Sequence, residues 1–328
     1  MAVTIQETNF DFPGQVGNAY HGKVADTYAI DHPDAGPLLA VVRTDRISAF
    51  DVVLPQSIPY KGQVLNQMSA AILSEMQDVA PNWFVGTPDA NVTVGRRAEP
   101  FKIEMIMRGA LLGTAWRNYQ EGMREICGNR LPDGMSEFQF FPEPLVTPTT
   151  KADQGHDQDI TPAEIVEQGL ATQAQYDTMA GYATDMFLAG QVWAREKGLY
   201  FADTKYEFGR LVTGEIVLID EVNTPDSSRY FHGAQFRNYV ERETSNRPEQ
   251  LSKEFVREWL REQGFSGQEG QEPPVMPPEM VEAVTSRYLG LYERMLGEPF
   301  YEVVSIDETH RLDMMRSAVT NFLDQLTD

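Results

Sequence analysis

Residues 201–229, FADTKYEFGRLVTGEIVLIDEVNTPDSSR, space their charged side chains so that a cation could be held between carboxylates. Ala202, Thr204, Tyr206 and Phe208 fall on one face of a strand by period two, and Asp203, Lys205 and Glu207 fall on the other. The following run, residues 215–220, is nearly all aliphatic, so the two halves read as a hairpin. A two-residue turn at Thr213 and Gly214 pairs Val212 with Glu215 and sets Glu207 opposite Asp220. Opposed side chains lie about 5 Å apart at Cβ, where like charges repel unless something positive lies between them. Hard oxygen donors so placed suit Mg²⁺, which takes one or two protein carboxylates and completes its shell with water and substrate phosphates. A nucleotide site is one reading. The other is a solvent-facing charged hairpin neutralised by Lys205, and a one-residue slip in register would undo the pairing.

Other residues carry weaker signals. His21, Gly22 and Lys23 fall in a loop of an expected antiparallel sheet (strands over 19–30 and 38–42), where backbone and ammonium could approach phosphate. On spacing alone, a solvent lysine fits that place better. Arg108 follows the apolar Met105, Ile106 and Met107, so its guanidinium emerges at the end of a buried strand, either as a two-point anion clamp or as a surface ion pair. Residues 44–61 read as a loop in which Pro55 and Pro59 break any helix, and they gather Asp45, Arg46, Ser48 and Asp51 without revealing separate roles. The loop with Lys151, Asp153, His156 and Asp157 has no apolar residue except Ala152 and reads as a mobile lid.

The elements that position these residues follow from periodicity and caps. A helix is expected over 62–77, and a hairpin over 91–110 whose connection forms the adenine edge of a cleft. Thr161, Pro162 and Glu164 make a capping box with proline at the first helical position. A long helix over 172–197 carries the stripe Tyr176, Met179, Ala183, Met186, Gly190 and Trp193 and stops at Gly198. Residues 266–278 read as a surface linker. Residues 301–328 read as an amphipathic helix for packing or assembly, with Met315, Val319, Phe322 and Leu326 on one face.

Composition bounds the function. A chain of 328 residues with 41% hydrophobic content can build two or three domains with substantial cores. No basic leader precedes an apolar stretch, and no run of about 18 apolar residues occurs, so a cytoplasmic protein is expected. Cys127 is alone, which excludes an internal disulfide, and no Cys or His cluster has zinc spacing. With 49 acidic against 27 basic residues and a net charge of −22, nucleic acid would be repelled, and any anionic substrate needs a local basic pocket. The same balance suits salt-adapted and ordinary acidic cytosolic proteins alike. Oligomeric state is not legible.

Residues 202–209, ADTKYEFG, followed by DEVNTPDSSR at 220–229, resemble the signature of the SAICAR synthetase family (phosphoribosylaminoimidazole-succinocarboxamide synthases). So do GKVADTY at 22–28, TDRISAFDVVLP at 44–55, IPYKGQVLNQMS at 58–69, IEMIMRGALLGTAW at 103–116, TPTTKADQGHDQDI at 147–160 and RYLGLYERMLGEPF near the carboxyl end. The match runs in the family's order over roughly residues 20 to 300; Ala25 stands where the family commonly has arginine. The resemblance implies an α+β fold with an antiparallel-sheet domain (1–103), a central ATP- and substrate-binding domain (104–246) and a helical carboxyl-terminal region (247–328). It implies an ATP-dependent ligase that joins 5-aminoimidazole-4-carboxylate ribonucleotide (CAIR) to L-aspartate, with Mg²⁺; a small-molecule kinase of related architecture is the alternative, and a non-catalytic ATP-binding regulator a more distant one. By resemblance, Asp203, Lys205 and Lys151 are catalytic. Gly22, Lys23, Lys102, Glu104, Glu207 and Asp220 belong to the nucleotide, with Glu207 and Asp220 on the metal. Arg108, Thr114, Asp226, Ser227 and Arg229 belong to the ribonucleotide.

Overall fold

The computed structural model describes residues 3–151 and 157–326. All strand pairing between its named strands is antiparallel. The first sheet comprises β1 (Tyr20–His21), β2 (Ala25–His32), β3 (Gly36–Arg43), β6 (Phe84–Asp89) and β7 (Val92–Arg96), in the order β1-β2-β3-β7-β6. The second comprises β8 (Glu99–Ala110), β11 (Phe140–Thr150), β12 (Leu199–Arg210), β13 (Ile216–Ile219) and β14 (Ser228–His232), with β12 at its centre beside β8, β13 and β14. Two small hairpins, β4 (Arg46–Ala49) with β5 (Val52–Ser57) and β9 (Glu125–Ile126) with β10 (Asn129–Arg130), lie outside these sheets. The fold is α+β, as expected. Among the described residues, no helix is long and apolar enough to cross a membrane.

The helices begin where the sequence places them. α1 spans Lys61–Glu75, and α3 (Pro162–Glu167) and α4 (Gln173–Glu196) both start from complete capping boxes, at Thr161 and Thr172. The apolar stripe of α4 packs Met179, Ala183, Met186 and Phe187 under the second sheet, in one core with Met105, Met107, Tyr206 and Phe208. The same core takes in Val64, Leu65 and Met68 of α1 and Val284, Tyr288 and Leu291 of α7 (Pro278–Leu296). Helices α2 (Gly113–Gln120), α5 (Gly233–Val240) and α6 (Glu254–Glu262) lie toward the far end of the second sheet.

Three expectations change. Residues 91–110 do not form a hairpin: β7 pairs with β3 and β6, whereas β8 pairs with β11 and β12. The chain leaves one sheet for the other at Arg97 and Ala98, and β8 then buries Ile103, Met105 and Met107 on the core face of the second sheet. Residues 44–61 are not simply a loop but contain the β4–β5 hairpin. Pro55 is tolerated there in a two-stranded ribbon, and Phe50 and Asp51 close the turn with φ of 52° and 64°. The β12–β13 turn also differs. Leu211 N–H donates to Glu215 O and Gly214 N–H to Leu211 O, with Gly214 at φ 90°, so one more residue enters the loop. Glu207 therefore faces Ile219 rather than Asp220.

The carboxyl-terminal helix α8 (Glu308–Gln325) packs on the first sheet, burying Met315, Val319 and Leu323 against Ile30, Leu38, Val92 and Val94. Asp307 caps it, accepting from His310 N–H at 2.8 Å. Arg311, 2% exposed, donates to both oxygens of Asp89 at 2.8 and 2.5 Å and to Asn91 Oδ1 at 2.7 Å. Removing one partner of such a buried pair strands the other. Arg311→Met should therefore lower unfolding stability by about 3–5 kcal/mol, and Asp89→Asn added to it should recover part of that, as read by urea unfolding.

Candidate active site

The strand β12 carries the site. Its alternation puts Tyr206 and Phe208 into the core beneath, and Asp203, Lys205 and Glu207 on the opposite face. Register brings Asp203 level with Arg108 on β8 and with Arg229 on β14, and Glu207 level with Glu104 on β8. Thr147 and Thr149 of β11 lie level with Ile106 and Glu104. One polar face thus crosses four strands.

At one end of this face a facing pair of carboxylates exists, but its members are Glu104 and Glu207, both nearly buried. Lys205 lies between them, with Nζ 2.5 Å from Glu104 Oε1 and 3.0 Å from Glu207 Oε1. Lys151 Nζ takes the other Glu207 oxygen. Burial alone would lower Lys205, but Glu207 and Glu104 outweigh it and hold the ammonium well above its ordinary range; burial raises Glu104. Asp220, in the left-handed region just after β13, accepts from Arg43 Nη2 at 2.5 Å. Burial opposes its ionisation, and Arg43 still brings it down to about 2. Lys151 N–H donates to the carbonyl of Lys102, which places both residues at this end of the sheet. Lys23 is not joined directly to the network: its ammonium contacts Asp51 at the β4–β5 tip at 2.5 Å, and the Gly22 carbonyl accepts from Arg46. Asp153 and His156 of the expected lid lie outside the described residues.

The other end is rich in arginine. Arg108 Nε donates to Thr147 Oγ1 at 2.9 Å, and Arg229 Nη1 donates to Asp203 Oδ2 at 2.5 Å. Arg229 Nη2 reaches Glu254 Oε2 at 3.2 Å. Gly113 stands at φ 61°, and a Cβ there would lie 2.8 Å from Arg229 Nη2, so only glycine lets the guanidinium lie where it does. Thr114 Oγ1 accepts from Arg117 Nη2 at 2.7 Å. A cavity of roughly 550 Å³ opens here, lined among others by Gly113, Trp116, Arg117, Phe138, Arg229 and Arg261.

Two residues of the PDSSR segment turn inward. The Ser227 hydroxyl accepts from Thr224 N–H at 3.2 Å and holds the turn. The Asp226 carboxylate is buried and committed to Lys61 at 3.0 Å, Lys253 at 3.3 Å and the Tyr288 hydroxyl at 2.7 Å. Burial opposes its charge, but Lys253 and Lys61 hold it well below the usual carboxylate range. Its work in this structure is to fix the segment that delivers Arg229. Arg43, Lys61, Lys253 and Glu254 are members of the site that strand periodicity could not single out, since each reaches it from a distant element.

Asp45 anchors the floor. It accepts from Gly62 N–H at 2.9 Å, at the start of α1, and from Ile5 N–H at 2.8 Å. Burial outweighs these bonds and pushes its carboxyl up to about 6.

The whole arrangement, a sheet-built cleft with lysines and carboxylates at one end and arginines at the other, is that of an enzyme that handles phosphorylated substrates. Residues 18–274 match the SAICAR synthetase family, and the chain belongs to that family. It is 51% identical over 323 residues to the phosphoribosylaminoimidazole-succinocarboxamide synthase of Bacteroides thetaiotaomicron, covering 98% of this chain and 99% of the relative. It is 41% identical to that of Legionella pneumophila (strain Paris) over 305 residues, covering 92% and 93%. The SAICAR synthase of Saccharomyces cerevisiae, solved with SAICAR bound, superposes with a TM-score of 0.73 at 31% identity, over 91% of this chain and all of that one. A SAICAR synthetase solved with ADP shares the fold, with a TM-score of 0.66 at 21% identity, over 87% of this chain and all of that one.

The raised Asp45 gives a pH dependence of definite sign. The unfolded chain releases this proton near 3.8 and the folded one near 6, so between those values the folded state holds the extra proton and stability falls as pH rises. Unfolding midpoints at about pH 4.5 and about pH 6.5 should show that component of the slope in the natural protein and its loss in Asp45→Asn.

Proposed function

We propose that this chain joins CAIR to L-aspartate at the expense of ATP, giving SAICAR, ADP and phosphate in purine biosynthesis. The relatives' shared activity supports the reaction and disfavours the kinase alternative. The observation that carries the residue assignment is that β12 bears both halves of the site on one face: from Asp203 to Glu207 is about 13 Å along the strand, with Lys205 midway. ATP phosphates belong at the lysine end, with Gly22, Lys23 and Lys102 toward the nucleotide, and the ribonucleotide at the arginine end.

A carboxylate is a poor electrophile. Phosphoryl transfer from ATP to the carboxylate oxygen of CAIR releases ADP and leaves an acyl phosphate; the aspartate amine attacks its carbon, phosphate departs, and the amine gives up its proton. Positioning and charge neutralisation do most of this work. Lys151 and Lys205 stand where the transferred phosphoryl group needs positive charge. Asp203 orients Arg229, which with Arg108 and Thr114 grips the ribonucleotide, while Asp226 and Ser227 set the segment behind it.

Mg²⁺ fits the donor chemistry: Glu207 and Asp220 offer hard oxygens, each now resting on a cation that a divalent ion could replace. Bound there, it would neutralise phosphate charge. The proposed division into an antiparallel-sheet domain (1–103), a central domain (104–246) and a carboxyl-terminal helical region (247–328) puts the arginine-end cavity at the meeting of the last two, where α6 lines it. A cytoplasmic setting suits its nucleotide substrates.

Formation of SAICAR together with ADP from ATP, CAIR and L-aspartate is the deciding assay; ADP release that needs no CAIR, or that yields no SAICAR when L-aspartate is present, would overturn the reading. Arg229→Lys keeps the charge but loses two-point geometry, so the KM for CAIR should rise roughly tenfold while that for ATP holds. Glu207→Gln and Asp220→Asn should abolish most turnover. From the sequence, the metal-free protein would be expected to stay level or gain stability in these variants, through relief of repulsion. The structure reverses this, because each carboxylate neutralises a cation: melting without Mg²⁺ should fall, by roughly 1–3 kcal/mol of stability. A variant that keeps its Mg²⁺ dependence of ADP formation would show these carboxylates to be structural.

A further inference from the structure

The arginine cavity already contains an anion of its own, the carboxylate of Glu254. This nearly buried group accepts from Arg229 Nη2 at 3.2 Å, Arg257 Nη1 at 3.1 Å and Arg261 Nη2 at 2.9 Å. Arg229 and Arg261 line the cavity together with Arg117. Arg229 Nε, although buried, has no acceptor among the described residues, so the guanidinium holds a donor that none of them uses. A carboxylate set on convergent guanidinium groups offers the same acceptors as a phosphate monoester, with less charge.

Building on the ligase reading above, we infer that Glu254 is an internal competitor for the substrate's phosphate: the phosphate takes Arg229 Nη2 and Arg117, and Glu254 withdraws onto Arg257 and Arg261. The device would serve two ends. Without substrate, Glu254 neutralises clustered arginines that would otherwise repel one another. With substrate, it sets a threshold that a dianionic phosphate passes and a singly charged carboxylate, no better than Glu254 itself, does not. Glu258, which lines the cavity along with Glu137, Glu249 and Glu262, adds a further carboxylate that disfavours weakly bound anions.

The test is calorimetric binding of ribose 5-phosphate, and separately of inorganic phosphate, to the full chain, alongside melting of the ligand-free protein. Glu254→Gln should bind ribose 5-phosphate roughly tenfold more tightly while melting at a lower temperature, because the arginines lose their counter-charge. Arg117→Ala should bind it roughly tenfold more weakly, and neither change should alter ATP affinity. Stability and affinity moving in opposite directions in Glu254→Gln is what a merely structural carboxylate would not produce. Should that variant fail to fold, Glu254→Asp keeps the charge, shortens the reach to Arg229 and should tighten binding by a smaller factor. Binding that is weaker or unchanged in whichever variant folds overturns the inference. If the natural protein binds neither phosphate probe yet releases ADP and forms SAICAR from ATP, CAIR and L-aspartate, the competitor fails and the ligase reading stands. If phosphate binds as expected and no such ADP release occurs, the ligase reading fails and the competitor stands.

Discussion

Glu104 and Glu207 face each other across adjacent strands with little access to water, and that juxtaposition stands only because Lys205 lies between them. Two buried carboxylates at strand spacing would otherwise shed a proton's worth of charge or part the strands. The rest of the second sheet follows from supplying such counter-charges. Lys151 closes one side, Arg43 turns to Asp220, and Asp203 draws Arg229 inward from the neighbouring strand. The charged groups of this face are thus held by one another, the condition for electrostatic preorganisation.

Local rules reached far into this chain. Alternation from Ala202 to Phe208 separated core from site, and the capping box at Thr161 fixed the start of α3. These signals live within a few residues. The β12–β13 register does not: it hangs on Gly214 adopting φ 90°, which admits a third loop residue and carries Asp220 past Glu207. The facing pair expected from counting was real in kind but involved Glu104, one strand over. Proline in residues 44–61 suggested a loop, because a proline in an edge ribbon and a proline in a turn leave the same mark in sequence. The roles of Arg108, Thr114 and Arg229 came from the family resemblance, and those of Lys61, Lys253 and Glu254 needed the tertiary structure.

A chain with a net charge of −22 must still attract anionic substrates. Five of its basic groups, Arg108, Arg117, Arg229, Arg257 and Arg261, are gathered toward one end of the cleft. Outside it the surface repels nonspecific polyanions, and inside it the walls focus what field remains.

The terminal helix bears on how the molecule is made. Arg311 meets Asp89 across 222 positions of chain, and Met315, Val319 and Leu323 complete a hydrophobic layer begun by Ile5, Phe10 and Val92. During synthesis the first sheet leaves the ribosome early, with this part of its apolar face uncovered, and waits for nearly the whole remaining chain before α8 can close it. This part of the amino-terminal sheet can therefore be sealed only after α8 has been made.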